Sequence, residues 1–262
     1  MCGVGHLSVH ADEQAVNVAP DARIEGRGLS VYRIDPWVDG PVLGLSSLGA
    51  VLPLIYESKL VHPHTVGDAG EINAIDRNVV GNHNKTVALV SHLQVAMAIA
   101  VPIYLDAKDV GFTKTLTEDF VVYAEVLSIN SAISNAARYS VQRPRPDIYR
   151  AGANVNDPGE FLSFYSGHVA STVAALSAAS MTYNYRYGYH TWPWVVTFLA
   201  GASEGVERSI AGRHYPSDNI VGALIGAAVG ITVPMLHHRK SPNEITLVPE
   251  EHGGQVVWQR KF

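Results

Sequence analysis

The chain has 262 residues and one cysteine, Cys2, so an intramolecular disulfide is excluded. Charge is scarce as well. Asp, Glu, Lys and Arg make up 16 % of the residues, against ~25 % in an average soluble domain. The balance is acidic, net −5, with no long basic run, which argues against nucleic acid as a partner. Residues 1–15 lack both a basic start and an apolar core, so no signal peptide is read there. Uncharged runs are mostly about 14–19 residues, just short of the ~20 a membrane-spanning helix wants. Membrane integration is therefore left open by length alone. No internal repeat, low-complexity tract or metal cluster stands out.

What the chain has is small and apolar residues, with 23 glycines, in long segments suited to tightly packed helices. Residues 1–36 read as a polar N-terminal arm, 37–240 as the helical domain and 241–262 as a C-terminal tail. The helices are expected over 38–56, from a Thr86 cap through 87–105 interrupted or ended near Pro102, over 115–139, from Ser166 to Tyr183, over 192–209, and over 216–236. The last carries Gly222, Gly226 and Gly230, a ridge that lets a neighbouring helix approach closely. Tyr183, Tyr185, Tyr187 and Tyr189 alternate with other residues, as in a short strand or an aromatic belt at a membrane surface. Residues 245–248 and 256–259 read as strands of a hairpin around Gly253-Gly254. His62 and His64 are a weak candidate metal pair on a loop.

Three pieces carry chemistry. The first is Arg138 followed by Arg143-Pro144-Arg145-Pro146. Guanidinium groups fork onto phosphate oxygens; Arg145, seven residues after Arg138, is taken as the ligand and Arg143 as its neighbour at the rim. The second is Ser166-Gly167-His168, ahead of a helix-like run. A Ser cap, a glycine and free N–H groups at a helix start suit an oxyanion, and His168 there can give up a proton. The third is Arg208, His214 and Asp218. If the chain turns helically between them, His214 and Asp218 meet, and a carboxylate fixes the histidine tautomer. Each piece alone also reads as an ordinary cap, helix start or solvated arginine. The combination is what points to one phosphate.

Together the pieces resemble the type 2 phosphatidic acid phosphatase (PAP2) and vanadium haloperoxidase superfamily, whose motifs run Lys-x6-Arg-Pro, Pro-Ser-Gly-His and Ser-Arg-x5-His-x3-Asp. The resemblance covers roughly residues 80–236. Arg138 stands for the Lys, Tyr165 for the Pro and Glu207 for the Ser. The resemblance implies an all-α, six-helix bundle and a metal-independent phosphatase acting on a phosphomonoester or a lipid phosphate or diphosphate. In that scheme His214 attacks phosphorus to give a phosphohistidine and Asp218 orients it. His168 protonates the leaving oxygen, and Arg138, Arg145, Arg208, Ser166 and Gly167 hold the phosphate. No cofactor and no metal are implied. The alternatives are a vanadium-dependent haloperoxidase and a non-catalytic phosphate- or lipid-binding member. The family's active site faces out of the cytoplasm, which implies the cell envelope, reached by a trimmed targeting segment or by internal insertion. Lys108, Arg186, Arg239 and Lys240 would then mark the inner side. The loop over 143–165 is expected to choose the substrate.

Overall fold

The computed structural model describes residues 30–239 and the strand residues 244–250 and 253–259. Cys2 lies outside the described residues, as does the arm up to residue 29. Six long helices form the body: α1 (Pro36–Ile55), α2 (Lys85–Val110), α3 (Lys114–Val141), α4 (Gly167–Tyr187), α5 (Trp192–Ile210) and α6 (Pro216–His237). A single helical turn, Glu57–Leu60, follows α1. Strands β1 (Glu244–Glu250) and β2 (Gly253–Gln259) pair antiparallel, enclosing the segments read as a hairpin.

The helix starts follow capping chemistry. Asp35 accepts from the Trp37 N–H and is followed by Pro36 at the first helical position. Asn84, rather than Thr86, caps α2 by accepting from the Val87 N–H at 3.0 Å. That helix does not end at Pro102 but runs on to Val110. Proline removes one backbone bond, and packing of α2 against α4 and α5 holds the helix through it. Similarly, α4 continues to Tyr187, which overturns the strand reading of the tyrosines. Tyr183 and Tyr187 are one turn apart with ring centroids at 5.0 Å, while Tyr185 points elsewhere and stacks on His238 at 3.7 Å.

Helix α4 is the centre of the bundle, contacting α3, α5, α6 and α2. Its closest neighbour is α6. A methyl group on Gly222 would meet the Ser166 carbonyl oxygen at 2.6 Å, and one on Gly226 or Gly230 would overlap the Ala170 or Ala174 carbonyl oxygen. The glycine ridge thus lets two helix backbones touch. Beside it lies an apolar core of Val122, Val126, Ala174, Ala178 and Val229, closed by Tyr32. Tyr32, the end of the expected arm, is fully buried and bonds the Thr182 hydroxyl at 2.8 Å.

The outer faces are apolar. Trp37, Leu45, Leu93, Phe198, Leu224 and Leu236 are all more than half exposed, far beyond what a water-facing surface needs. Helices α1, α2 and α6 are long and apolar enough to cross a membrane. The cations expected to mark one side fare unevenly. Lys108 stands over the Tyr104 ring and Arg239 pairs with Glu118. Arg186 is buried between Asp106 and Asp119, where it offers no surface charge. Lys240 lies outside the described residues.

Gly226→Ala is expected to lose about 1–3 kcal/mol despite its better helix propensity, because a backbone carbonyl cannot yield. Gly40→Ala, with nothing within 4 Å of its added methyl, is expected to be neutral or to gain about 0.5–1 kcal/mol. Thermal unfolding in detergent of both variants beside the parent checks the contrast.

Candidate active site

Helix ends deliver the site: α3 and α5 finish there, and α4 and α6 begin there. The starts of α4 and α6 are tied by the Ser166 N–H, which donates to the Asp218 carbonyl oxygen at 3.2 Å. Ser166 itself caps α4, its hydroxyl accepting from the Val169 N–H. Beside it, a methyl group on Gly167 would meet the Ser134 hydroxyl at 3.1 Å and the Arg138 guanidinium at 3.8 Å. Such a methyl would crowd the Ser134 hydroxyl and stand in ordinary contact with Arg138, so glycine leaves this first turn of α4 open.

Three arginines are sunk into this end. Arg138, in the last turn of α3, donates to the Asn135 side chain, and Asn135 is fixed by the Ala50 carbonyl of α1 at 2.6 Å. Arg208, in the last turn of α5, donates to the Ser91 hydroxyl at 3.2 Å, and Ser91 donates to Glu204 at 2.5 Å. The carboxylate that bears on Arg208 through a bonded partner is therefore Glu204, not the neighbouring Glu207. Arg145 follows α3 in the loop, with its backbone N–H on the Glu160 carbonyl at 2.8 Å. Burial pushes the Arg145 pKa below its ordinary value; Glu160 opposes the shift, and the cations Arg213 and Arg138 add to it. In all three the Nε–H is buried without a hydrogen-bond partner. Buried donors of that kind are rare unless something binds them, and a phosphate oxygen is the matching acceptor.

His214 is buried, with Nδ1 2.6 Å from the Ser163 carbonyl oxygen. A carbonyl only accepts, so Nδ1 carries the proton and Nε2 presents its lone pair. Burial first, then Arg208, Arg145 and His168, hold the imidazole pKa well below its ordinary value, against the Ser163 carbonyl. A pKa lowered in this way favours the neutral ring, the form in which a histidine can act as a nucleophile. Gly212, at φ 72°, shapes the approach to it; a methyl there would overlap the Asn82 carbonyl oxygen.

The contact expected between His214 and Asp218 is absent. The chain is extended at Tyr215, so no helical turn joins the two. Asp218 instead reaches back as a cap, accepting from the Tyr215 N–H at 3.1 Å and from the Ser163 hydroxyl at 2.6 Å. It holds the residue that holds His214. Arg143 is no loose neighbour at the rim either. It bridges Asp76 at 2.8 Å and Asp218 at 2.5 Å and lies 3.9 Å above the Tyr215 ring. Asp76, which sequence reasoning did not single out, also accepts from the Ser217 N–H and hydroxyl.

His168 stands at the first turn of α4 with Nε2 2.8 Å from His92 Nδ1 of α2, a partner with no sequence signal. A cavity of about 240 Å³ opens beside them, lined by Ser134, Arg138, Gly167 and His168 on one side and by Val95 and Ile99 on the other. The inward groups are cationic or neutral, which suits an anion rather than a metal ion. On the loop before the site, His64 leans on Phe161 with its Nδ1 3.3 Å from the His62 carbonyl oxygen, and the His62 N–H donates to the Gln142 side chain at 3.2 Å.

The PAP2 superfamily model matches residues 119–242, a segment that holds every motif residue from Arg138 to Asp218. Over that segment, just under half of its length, the chain is similar to the PAP2 superfamily. It is 25 % identical over 216 residues to a lipid A 1-phosphatase of Porphyromonas gingivalis, covering 81 % of this chain and 42 % of the relative. It is 35 % identical over 102 residues to a decaprenylphosphoryl-5-phosphoribose phosphatase of Mycobacterium tuberculosis, covering 39 % of this chain and 52 % of the relative. The chain thus spans about half or less of the curated relatives it matches. The crystal structure of Aquifex aeolicus LpxE aligns with a TM-score of 0.44 and 21 % identity, over 60 % of this chain and 90 % of that one.

Burial alone would raise the Asp76 carboxyl, but bonds from Arg143, Ser217 and Asn73 hold it below its ordinary value. A lowered carboxyl pKa contributes stability above the unfolded value of about 4, lost as pH falls through the folded one. Asp76→Asn is expected to cost about 3 kcal/mol near neutral pH. The gap to the parent should narrow as pH drops below about 4, read from unfolding midpoints across that range.

Proposed function

We infer that this protein is a membrane-embedded lipid phosphatase that works through a phosphohistidine. The observation that carries the reading is the set of three arginines, each with a buried Nε–H that has no hydrogen-bond partner, at the same end of the bundle as the neutral His214. Such a cluster is costly without an anion and becomes favourable around one with several oxygens.

The geometry supports a division of labour. Nε2 of His214 attacks phosphorus, while Arg138, Arg145, Arg208 and the N–H groups at the start of α4 take the equatorial oxygens as charge builds there. His168, placed by His92, donates a proton to the leaving oxygen and then takes one from the attacking water. Asp218 acts at one remove, keeping Ser163 in place so that its carbonyl fixes the His214 tautomer. A phosphorylated lipid is the substrate class favoured by the apolar wall of Val95 and Ile99, by the exposed apolar helices, and by two relatives whose names denote phosphatases of phosphorylated lipids. The site end faces away from the cytoplasm in this reading. With Arg186 sequestered and Arg239 paired, Lys108 is the surface cation that supports that orientation.

His214→Ala is expected to lower phosphate release from a lipid phosphate in detergent micelles by three or more orders of magnitude, as loss of a covalent nucleophile should. Arg145→Ala is expected to lose about 10²–10³-fold. Acid quenching with radiolabelled substrate should trap label on the parent protein and none on His214→Ala. Parent-like turnover in His214→Ala would overturn the mechanism. Phosphate binding without turnover in the parent would leave a binding protein in its place.

A further inference from the structure

At the end of the bundle away from His214, three side chains distant in sequence meet. Asp39 comes from the first turn of α1, Glu125 from α3 and His237 from the last turn of α6. The His237 Nε2 lies 3.3 Å from Asp39 Oδ1 and 3.2 Å from Glu125 Oε2. One ligand-type atom from each residue lies within 4.8 Å of the others. Asp39 and Glu125 are buried, at 7 % and 1 % exposure. From Asp218 to His237, α6 rises about 28 Å at ~1.5 Å per residue, so this cluster is separate from the phosphate site.

Hydrogen bonding sets the state of the histidine. Nδ1 sits 2.8 Å from the Val233 carbonyl oxygen and therefore donates to it, leaving Nε2 to face both carboxylates. Metal-bound histidines are typically held in this way through their second nitrogen. Asp39 Oδ2 is occupied by the Asp35 N–H at 2.6 Å. Glu125 Oε1, by contrast, is buried with no hydrogen-bond partner, so the carboxyl keeps an unused oxygen beside the one that faces His237.

Charge and distance then favour one kind of occupant. With an Nε2 lone pair the cluster carries −2, and a proton on Nε2 leaves −1. A divalent cation brings it to zero, which matters between helices that expose apolar faces. A tetrahedral ion with bonds of about 2.0–2.1 Å sets its ligand atoms roughly 3.3 Å apart, and both His237 distances match that spacing. We propose that Asp39, Glu125 and His237 form a structural binding site for a divalent first-row cation that staples α1 and α6 to α3. One imidazole and two carboxylates suit zinc or manganese. The ion holds helices together and takes no part at the phosphate.

The test uses the full chain in detergent. Metal content is measured by mass spectrometry after purification. The protein is then stripped with a chelator, and its thermal midpoint is followed as Zn²⁺ or Mn²⁺ is added back. The parent is expected to bind about one ion per chain and to gain several degrees. Asp39→Asn and Glu125→Gln, which keep side-chain shape, should do neither. If one variant fails to accumulate, the other stands in its place. The visible spectrum of the Co²⁺-loaded parent, with bands of a tetrahedral ion displaced by zinc, gives a readout that needs no variant. A stripped parent with no midpoint shift and no such spectrum, or variants that bind and shift as the parent does, would overturn the proposal and leave His237 as a hydrogen-bonding clamp between two carboxylates.

Discussion

Gly222, Gly226 and Gly230 bring α6 onto the backbone of α4, and the position of nearly every group at the His214 end follows from that approach. Because the two helices touch, their first residues lie side by side and the Ser166 N–H reaches the Asp218 carbonyl. The same closeness lets the Asp218 side chain grip Ser163, whose carbonyl grips His214. A wider spacing would break this relay at several joints at once. The seam is therefore a positioning device as well as a packing one, built from the absence of side chains rather than from contacts between them.

Charge in this protein is sorted by place. Arginines gather where α3 and α5 end and α4 and α6 begin, and two of them are braced by a neutral or indirect contact: Asn135 for Arg138, and Ser91 with Glu204 behind it for Arg208. Direct carboxylate pairing would have neutralised them and removed their pull on an anion. Arg143 shows the contrast, since its fork is spent on Asp76 and Asp218 and it serves the loop instead. At the other end the excess is acidic, with Asp106, Asp119, Asp39 and Glu125 buried or nearly so around Arg186 and His237.

The six helices were legible because their signals are local: a cap, an apolar run, a stop. The glycine ridge was legible too, since its four-residue period falls on one helix face. The boundaries that failed did so where tertiary packing outweighs local preference, at Pro102 and at the tyrosine run. Among site residues, Arg138, Arg145, Arg208, His168 and His214 carry their chemistry in their side chains and so announce themselves. The grip on His214 comes from a main-chain oxygen, which any residue at position 163 would supply, so no letter in the sequence encodes it. Asp76 and His92 lie outside the motif segments, and nothing in their own neighbourhoods marks them. The meeting of Asp39, Glu125 and His237 spans nearly the whole helical domain and is visible only once three helices are assembled.

The loop between α3 and α4 is pinned at both ends. The Asp147 N–H donates to the Gly212 carbonyl, the Arg145 N–H to Glu160 and the Ser163 N–H to Arg143. Between the pins, residues 151–157 form a mostly exposed excursion. Length and composition can drift in that excursion while the distance from the pins to His214 stays fixed. Selection is thus free to remodel that excursion by insertion or deletion, with the geometry at His214 insulated from the change.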